Sequence, residues 1–209
     1  MQHVSLSRRP YRPDRGANQG QAFLGRLTLA QARLHEICGP ARHSLAMMVA
    51  GTMRGPVLWV MPDWATARPY GPGMVRFVDP GRVTFVSAQR AEDILWTLEE
   101  GLRSGVVPLV IGDLPAPCGL TPVRRLHLAA ETGAREGRLA PLGLILTPDG
   151  AAPGVESRWH MAPDHHGREG AAGQETWRLT RQRARTAPER SWQVCARGSG
   201  FDLAPARTT

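Results

Sequence analysis

No lysine occurs among the 209 residues, so all 26 basic side chains are arginines. Chemistry that depends on a lysine, such as the point charge of a phosphate-binding loop or a Schiff-base nucleophile, is therefore excluded. Cysteine is scarce as well. Cys38, Cys118 and Cys195 are widely separated and odd in number, which argues against a disulfide framework and against a CxxC metal knuckle. They read as small buried hydrophobes in a reducing compartment. No run approaches the roughly 18 to 20 apolar residues of a membrane span, and Met1 to Gly20 lack the apolar centre of a signal peptide. A cytoplasmic protein without membrane contact is the expectation.

What is present is ordinary in amount: 42% hydrophobic and 21% charged residues, the composition of one folded domain. Arginine outweighs the acids enough to leave a formal net charge of +8. Such a balance favours contact with DNA or an acidic partner without defining a site.

Residues 1–21 are rich in Arg, Pro and Gly with little to bury, and predict a disordered arm. Residues 22–196 predict the folded domain and residues 197–209 a flexible tail. Within the domain, Arg33 to Cys38 reads as a strand stopped by Gly39-Pro40, and Arg42 to Met53 as a helix weakened by Gly51. Val57 to Val60, Val83 to Val86, Val106 to Ile111 and Leu142 to Leu146 read as strands, mostly continuous apolar runs of the kind that fill a buried parallel sheet. Ala91 to Ser104 carries Ile94, Leu95, Leu98 and Leu102 at helical spacing ahead of a C-cap Gly105. Thr121-Pro122 supplies an N-cap and a first-turn proline for a helix to about Thr132. The alternation predicts an α/β fold, a mostly parallel sheet with helices on both faces.

The pattern then changes to alternation in Ser157 to Met161, Glu175 to Arg183 and Ser191 to Cys195, which predicts a C-terminal antiparallel extension. Trp177 and Leu179 should face one way, Arg178 and Thr180 the other. Pro163 to Gly173 is expected to be an exposed hairpin loop.

Taken in order, these segments resemble RecA recombinases. His35-Glu36-Ile37-Cys38-Gly39-Pro40 is similar to the strand entering the phosphate loop, and Val83-Thr84-Phe85-Val86-Ser87 with Glu92 to Ser104 to the next strand and helix. Val107 to Asp113 resembles the Walker B strand, Gly143 to Thr147 the following core strand, and Ser157 to Val194 the antiparallel extension. The closer resemblance, over Leu27 to Val194, is to the ImuA family of bacterial mutagenesis cassettes, of which Gly119 to Glu131 looks typical. The resemblance rests on colinearity. It implies a RecA-like fold and an accessory role in SOS-induced translesion DNA synthesis. The implied partners are an ImuB-like Y-family polymerase homologue and an error-prone C-family polymerase subunit, with RecA and DNA as further contacts. A SulA-like division inhibitor that binds FtsZ is the alternative, since it too resembles a RecA core without a phosphate loop.

The departures bear on chemistry. A phosphate loop has the pattern G-x-x-x-x-G-K-[ST], in which glycines expose backbone amides and the lysine reaches the β/γ-phosphates. Counted from Gly39, the last three positions hold Ser44, Leu45 and Ala46. The remnant is Gly39, Pro40, Arg42 and Ser44, and an arginine fork does not replace a lysine inside a glycine cradle. No nucleotide, other cofactor or catalysis is expected, and Asp63 and Asp113 read as strand-end carboxylates. His160, His165 and His166 have no carboxylate or cysteine at ligand spacing, and no G-x-S-x-G frames a serine. Candidate DNA or partner contacts are Arg124 and Arg125 on a helix, and Arg178, Arg181, Arg183 and Arg185 along a strand, of which three or four guanidiniums would line one face. Phe201 and Leu203, two apolar residues in the tail, read as a segment that docks into a partner's groove.

Overall fold

Four runs of five or six residues, Leu34–Cys38 (β3), Val57–Pro62 (β4), Leu109–Asp113 (β6) and Leu142–Thr147 (β7), are buried along almost their whole length. Strands apolar on both faces need helices above and below, and a parallel sheet supplies that arrangement. The computed structural model describes residues 20–65, 68–164, 175–198 and 200–206. Its other elements are β1 (Gly20–Phe23), β2 (Leu27–Ala30), α1 (Arg42–Thr52), α2 (Gly71–Met74), β5 (Val83–Ala88), α3 (Ala91–Ser104), α4 (Leu120–Glu136), β8 (Ser157–Pro163), β9 (Thr176–Ala184), β10 (Arg190–Arg197) and β11 (Gly200–Pro205).

Nine strands form one sheet in the order β11-β10-β9-β8-β3-β7-β6-β4-β5, and β1 pairs with β2 in a separate ribbon. From β8 to β5 every neighbour is parallel; from β8 to β11 every neighbour is antiparallel. The antiparallel extension thus begins one strand later than expected. Ser157 to Met161 belongs to the parallel core on one side, where Ile37 pairs Trp159, and meets β9 only on the other.

Helices cover both faces. α1 buries Leu45, Ala46, Met47, Met48, Val49 and Ala50 in one core with Trp59, Leu144, Trp159 and the β1–β2 residues Phe23 and Leu29. α1 is apolar nearly all round because it lies between the sheet and other chain segments. Gly51 permits this closeness: a Cβ there would stand 2.0 Å from the Phe77 carbonyl oxygen. On the opposite face, α3 and α4 bury Ile94, Leu98, Leu102, Val123, Leu126 and Ala130 against Leu34, Val60, Val110 and Ile145. Each large apolar side chain so buried contributes about 1.5 to 3 kcal/mol relative to exposure. No described helix is long and apolar enough to cross a membrane.

Several boundaries depart from the sequence reading. α4 starts at Leu120 with Gly119 as N-cap and no side-chain cap, so Thr121 is inside the helix. Pro122 remains tolerable because first-turn N–H groups have no helical partner. The helix continues to Glu136, past Gly133, whose missing Cβ leaves room for the Leu102 carbonyl of α3, 2.1 Å from where it would stand. Gly20 and Gln21, expected in the arm, open β1 instead; residues 1–19 lie outside the described residues, as does most of the expected loop from Pro163 to Gly173. The tail is no free end, because Gly200–Pro205 is an edge strand of the main sheet. A turn through Gly198 (φ 57°) lets β11 pair with β10, Phe201 opposite Ala196 and Leu203 opposite Val194.

Candidate functional site

In an open α/β sheet, ligands bind outside the carboxyl ends of the parallel strands. Here that edge carries the loop Gly39-Pro40-Ala41 between β3 and α1. Gly39 has φ 93°, and a Cβ on it would lie 2.6 Å from Met161 O and 2.7 Å from His160 Nε2. A glycine is required by packing and by backbone conformation together.

The amides of this loop point inward. Gly39 N–H donates to Pro148 O (2.8 Å), Ala41 N–H to Met161 O (3.0 Å) and Arg42 N–H to Gly39 O (3.2 Å), while Pro40 has no N–H. A phosphate cradle works by presenting such amides to the ligand. In this chain they are committed to its own carbonyls.

The first turn of α1 is engaged as well. His43 Nε2 lies 2.5 Å from Asp113 Oδ2, and Arg42 Nε lies 3.8 Å from Asp113 Oδ1. Arg42 Nη1 reaches back to Gly39 O at 3.4 Å. Asp113 ends β6, so this strand-end carboxylate is paired across the sheet edge with the helix that follows the loop. Ser44 is half-buried in the same turn and Asp63 is exposed just beyond β4.

Two buried polar groups in β3 escaped the sequence reading. Glu36 has no exposed surface. Its carboxylate accepts from Thr147 Oγ1 (2.8 Å), from Ala151 N–H (3.1 Å), from Ala152 N–H (3.1 Å) and from Arg158 Nε (2.5 Å). It fixes the loop after β7 against β8 as a bound anion would. The only sequence signal was an acid inside an apolar strand. His35, also buried, has Nε2 2.9 Å from Ala30 O and Nδ1 2.7 Å from Ser157 Oγ. A carbonyl only accepts, so Nε2 carries the proton and Nδ1 accepts from the serine hydroxyl, which in turn accepts from Trp159 Nε1 at 2.7 Å. Burial lowers the His35 pKa to about 4 and leaves a neutral imidazole. Burial likewise pushes the Cys38 thiol up to about 12, with the Glu36 carboxylate adding to the effect, so Cys38 is an unreactive core thiol.

The candidate arginines do not form one row. Between Arg158 and Trp159 the β8–β9 register shifts: Arg158 pairs Arg183, Trp159 pairs Arg181, and Gln182 is passed over. This bulge reverses the alternation, which puts Arg181 on the Trp159 face and Arg183 on the Arg158 face. Arg185 Nε lies 3.6 Å from Glu156 and Arg178 Nη2 lies 3.8 Å from Asp164. Arg125 of α4 pairs Glu99 of α3 at 2.7 Å, whereas Arg124 is exposed. Arg181 has its guanidinium 5.7 Å from the Trp159 ring and 5.4 Å from the Trp192 ring, and donates through Nε and Nη2 to Pro188 O.

Phe201 and Leu203 are also placed differently from the docking tail expected. Phe201 stacks on Phe77 with centroids 5.3 Å apart and meets Trp177 edge-on at 6.1 Å, while Leu203 is half-buried against the same core. Both are occupied inside the domain.

Fold and site together define an α/β protein on a nine-stranded mixed sheet, with its loop amides and strand-end carboxylate internally paired. No protein-family model matches the chain, and no curated protein matches it.

Proposed function

We propose that this chain is a non-catalytic adaptor with a RecA-like core and a degenerate phosphate loop. The observation that carries the reading is the inward commitment of the Gly39, Ala41 and Arg42 amides. A nucleotide would have to break those bonds and the His43–Asp113 contact before meeting a cradle that holds no lysine. Each charge-assisted hydrogen bond absent from such a cradle costs about 1.5 to 3 kcal/mol of affinity. Surfaces are then what the domain has to offer.

The assignment of partners rests on the resemblance of Leu27 to Val194 to the ImuA family. The adaptor acts in SOS-induced translesion DNA synthesis in the cytoplasm, with an ImuB-like Y-family polymerase homologue, an error-prone C-family polymerase subunit and RecA as its contacts. Co-purification of the full chain at moderate salt with each of these proteins and with FtsZ tests it. Stoichiometric recovery of the ImuB-like protein, the polymerase subunit or RecA is expected. Recovery of FtsZ alone, or of none of the four, would overturn it.

A further inference from the structure

Arg181 and Arg190 are directly opposite each other on β9 and β10. Like charges in that position repel, and sheets ordinarily avoid them. With Arg26 from the β1–β2 turn they line one cavity of about 280 Å³, whose remaining walls are Leu27, Trp192, Leu203 and Pro205. No carboxylate lines it among the described residues. Among the described residues, Arg26, Arg181 and Arg190 take part in no salt bridge, although most of the chain's acids do. Two of the three cations are also held in place: Arg181 against the packed Trp159–Trp192 pair, and Arg190 over the Trp192 ring at 5.5 Å. Burial and the neighbouring Arg190 charge both lower the pKa of Arg181, the direction expected where positive charge is concentrated without a counter-ion.

We propose that the Arg26–Arg181–Arg190 cavity is a phosphate-binding site, and that the phosphates it takes are those of a nucleic-acid strand. Guanidinium N–H groups match phosphate oxygens in pairs, and cation–π contacts with Trp159 and Trp192 hold two of the guanidiniums in place, with Nη1 of Arg181 left over from its bonds to Pro188 O. Arg181 also lines an adjoining cavity of about 210 Å³, in which Arg185 is paired with Glu156 at 3.6 Å. Among the described residues of the two cavities, the cations without a carboxylate partner are thus confined to the first, and it is the net charge of +8 that favours a polyanionic strand over a lone phosphate. Trp192 and Trp159 are only 6% and 2% exposed, so their faces are covered and cannot stack on bases. Binding is therefore through the backbone and independent of sequence. The site stands apart from the adaptor reading, since it uses none of the Gly39–Asp113 residues.

The test is fluorescence anisotropy of a labelled oligothymidylate titrated with the full chain over a range of salt. Three variants are compared: R26Q/R190Q, R181Q, and R135Q/R138Q, which removes the same charge as the first from exposed positions near the end of α4. The wild type should bind with an affinity that falls with salt at a log–log slope of about −2, for three phosphate contacts at roughly −0.7 each. R26Q/R190Q should lose about tenfold or more per arginine, and R135Q/R138Q should bind as the wild type does. Equal losses in R26Q/R190Q and R135Q/R138Q would overturn the site, as would no binding by the wild type. R26Q/R190Q keeps the Arg181 stack, so the outcome does not depend on whether R181Q folds. Inorganic phosphate and a duplex are run as competitors. Competition by millimolar phosphate that is lost in R26Q/R190Q assigns the site to free phosphate, and competition only by oligonucleotides assigns it to nucleic acid.

Discussion

His43 on α1 and Asp113 at the end of β6 meet at 2.5 Å between Nε2 and Oδ2. The contact joins the first turn of the helix after the Gly39 loop to a strand-end carboxylate. Each serves the other.

Asp113→Ala leaves His43 partly buried without its carboxylate, and His43→Ala leaves Asp113 with only the longer Arg42 contact at 3.8 Å. Asp113→Ala and His43→Ala are each expected to cost about 2 kcal/mol in urea denaturation. The double variant should fall short of the sum by roughly 1 kcal/mol. Strict additivity would mean that the contact contributes nothing.

Protonation of His35 is expected to destabilise the fold. Its folded pKa of about 4 lies below its ordinary value of 6.5, so between those values the unfolded chain binds a proton that the folded chain refuses. Stability is full above about pH 6.5 and is lost as the pH falls towards 4, by up to roughly 3 kcal/mol. Burial lowers the pKa of His127 as well and acts in the same direction. Denaturation midpoints of the wild type and His35→Gln across this range should converge at low pH; parallel curves would remove His35 from the explanation.

The Glu36 carboxylate should be among the most sensitive positions in the chain. Glu36→Ala strands Arg158 and two loop amides in a buried setting, and a loss of about 3 to 5 kcal/mol follows. Glu36→Ala with Arg158→Met should recover part of that loss, measured by the same denaturation.

Phe201→Ala is expected to cost about 2 kcal/mol, less than a fully buried phenylalanine because Phe201 is half-exposed. A melting temperature unchanged from wild type would return residues 200–205 to the status of a free tail.

These expectations mark where the amino-acid order was readable. β4, β6 and β7 were legible because a strand buried on both faces must be apolar throughout, and α3 because Ile94, Leu98 and Leu102 repeat at helical spacing. β11 was misread because its alternation spans only Phe201 and Leu203, and the turn through Gly198 resembles the opening of a loose end. The bulge at Gln182 is invisible locally: it depends on the pairing of β9 with β8, and it moves Arg181 and Arg183 to opposite faces. Glu36 has the same character, since the Arg158 that satisfies it lies 122 positions further along the chain. The comparison of Gly39, Pro40, Arg42 and Ser44 with a phosphate loop rests on the residue pattern alone. Where the amides of the Gly39 loop point is a property of its packing.

The most direct measurement of the central claim is a titration of the full chain with ATP and Mg²⁺, followed by calorimetry and by the shift in thermal unfolding. A ligand that binds the native state at 100 times its Kd adds about 2.7 kcal/mol of stability, an effect easily seen. The inward-facing loop predicts no saturable heat and no shift. A one-to-one isotherm accompanied by stabilisation, and abolished by substitution of Asp113, would contradict it.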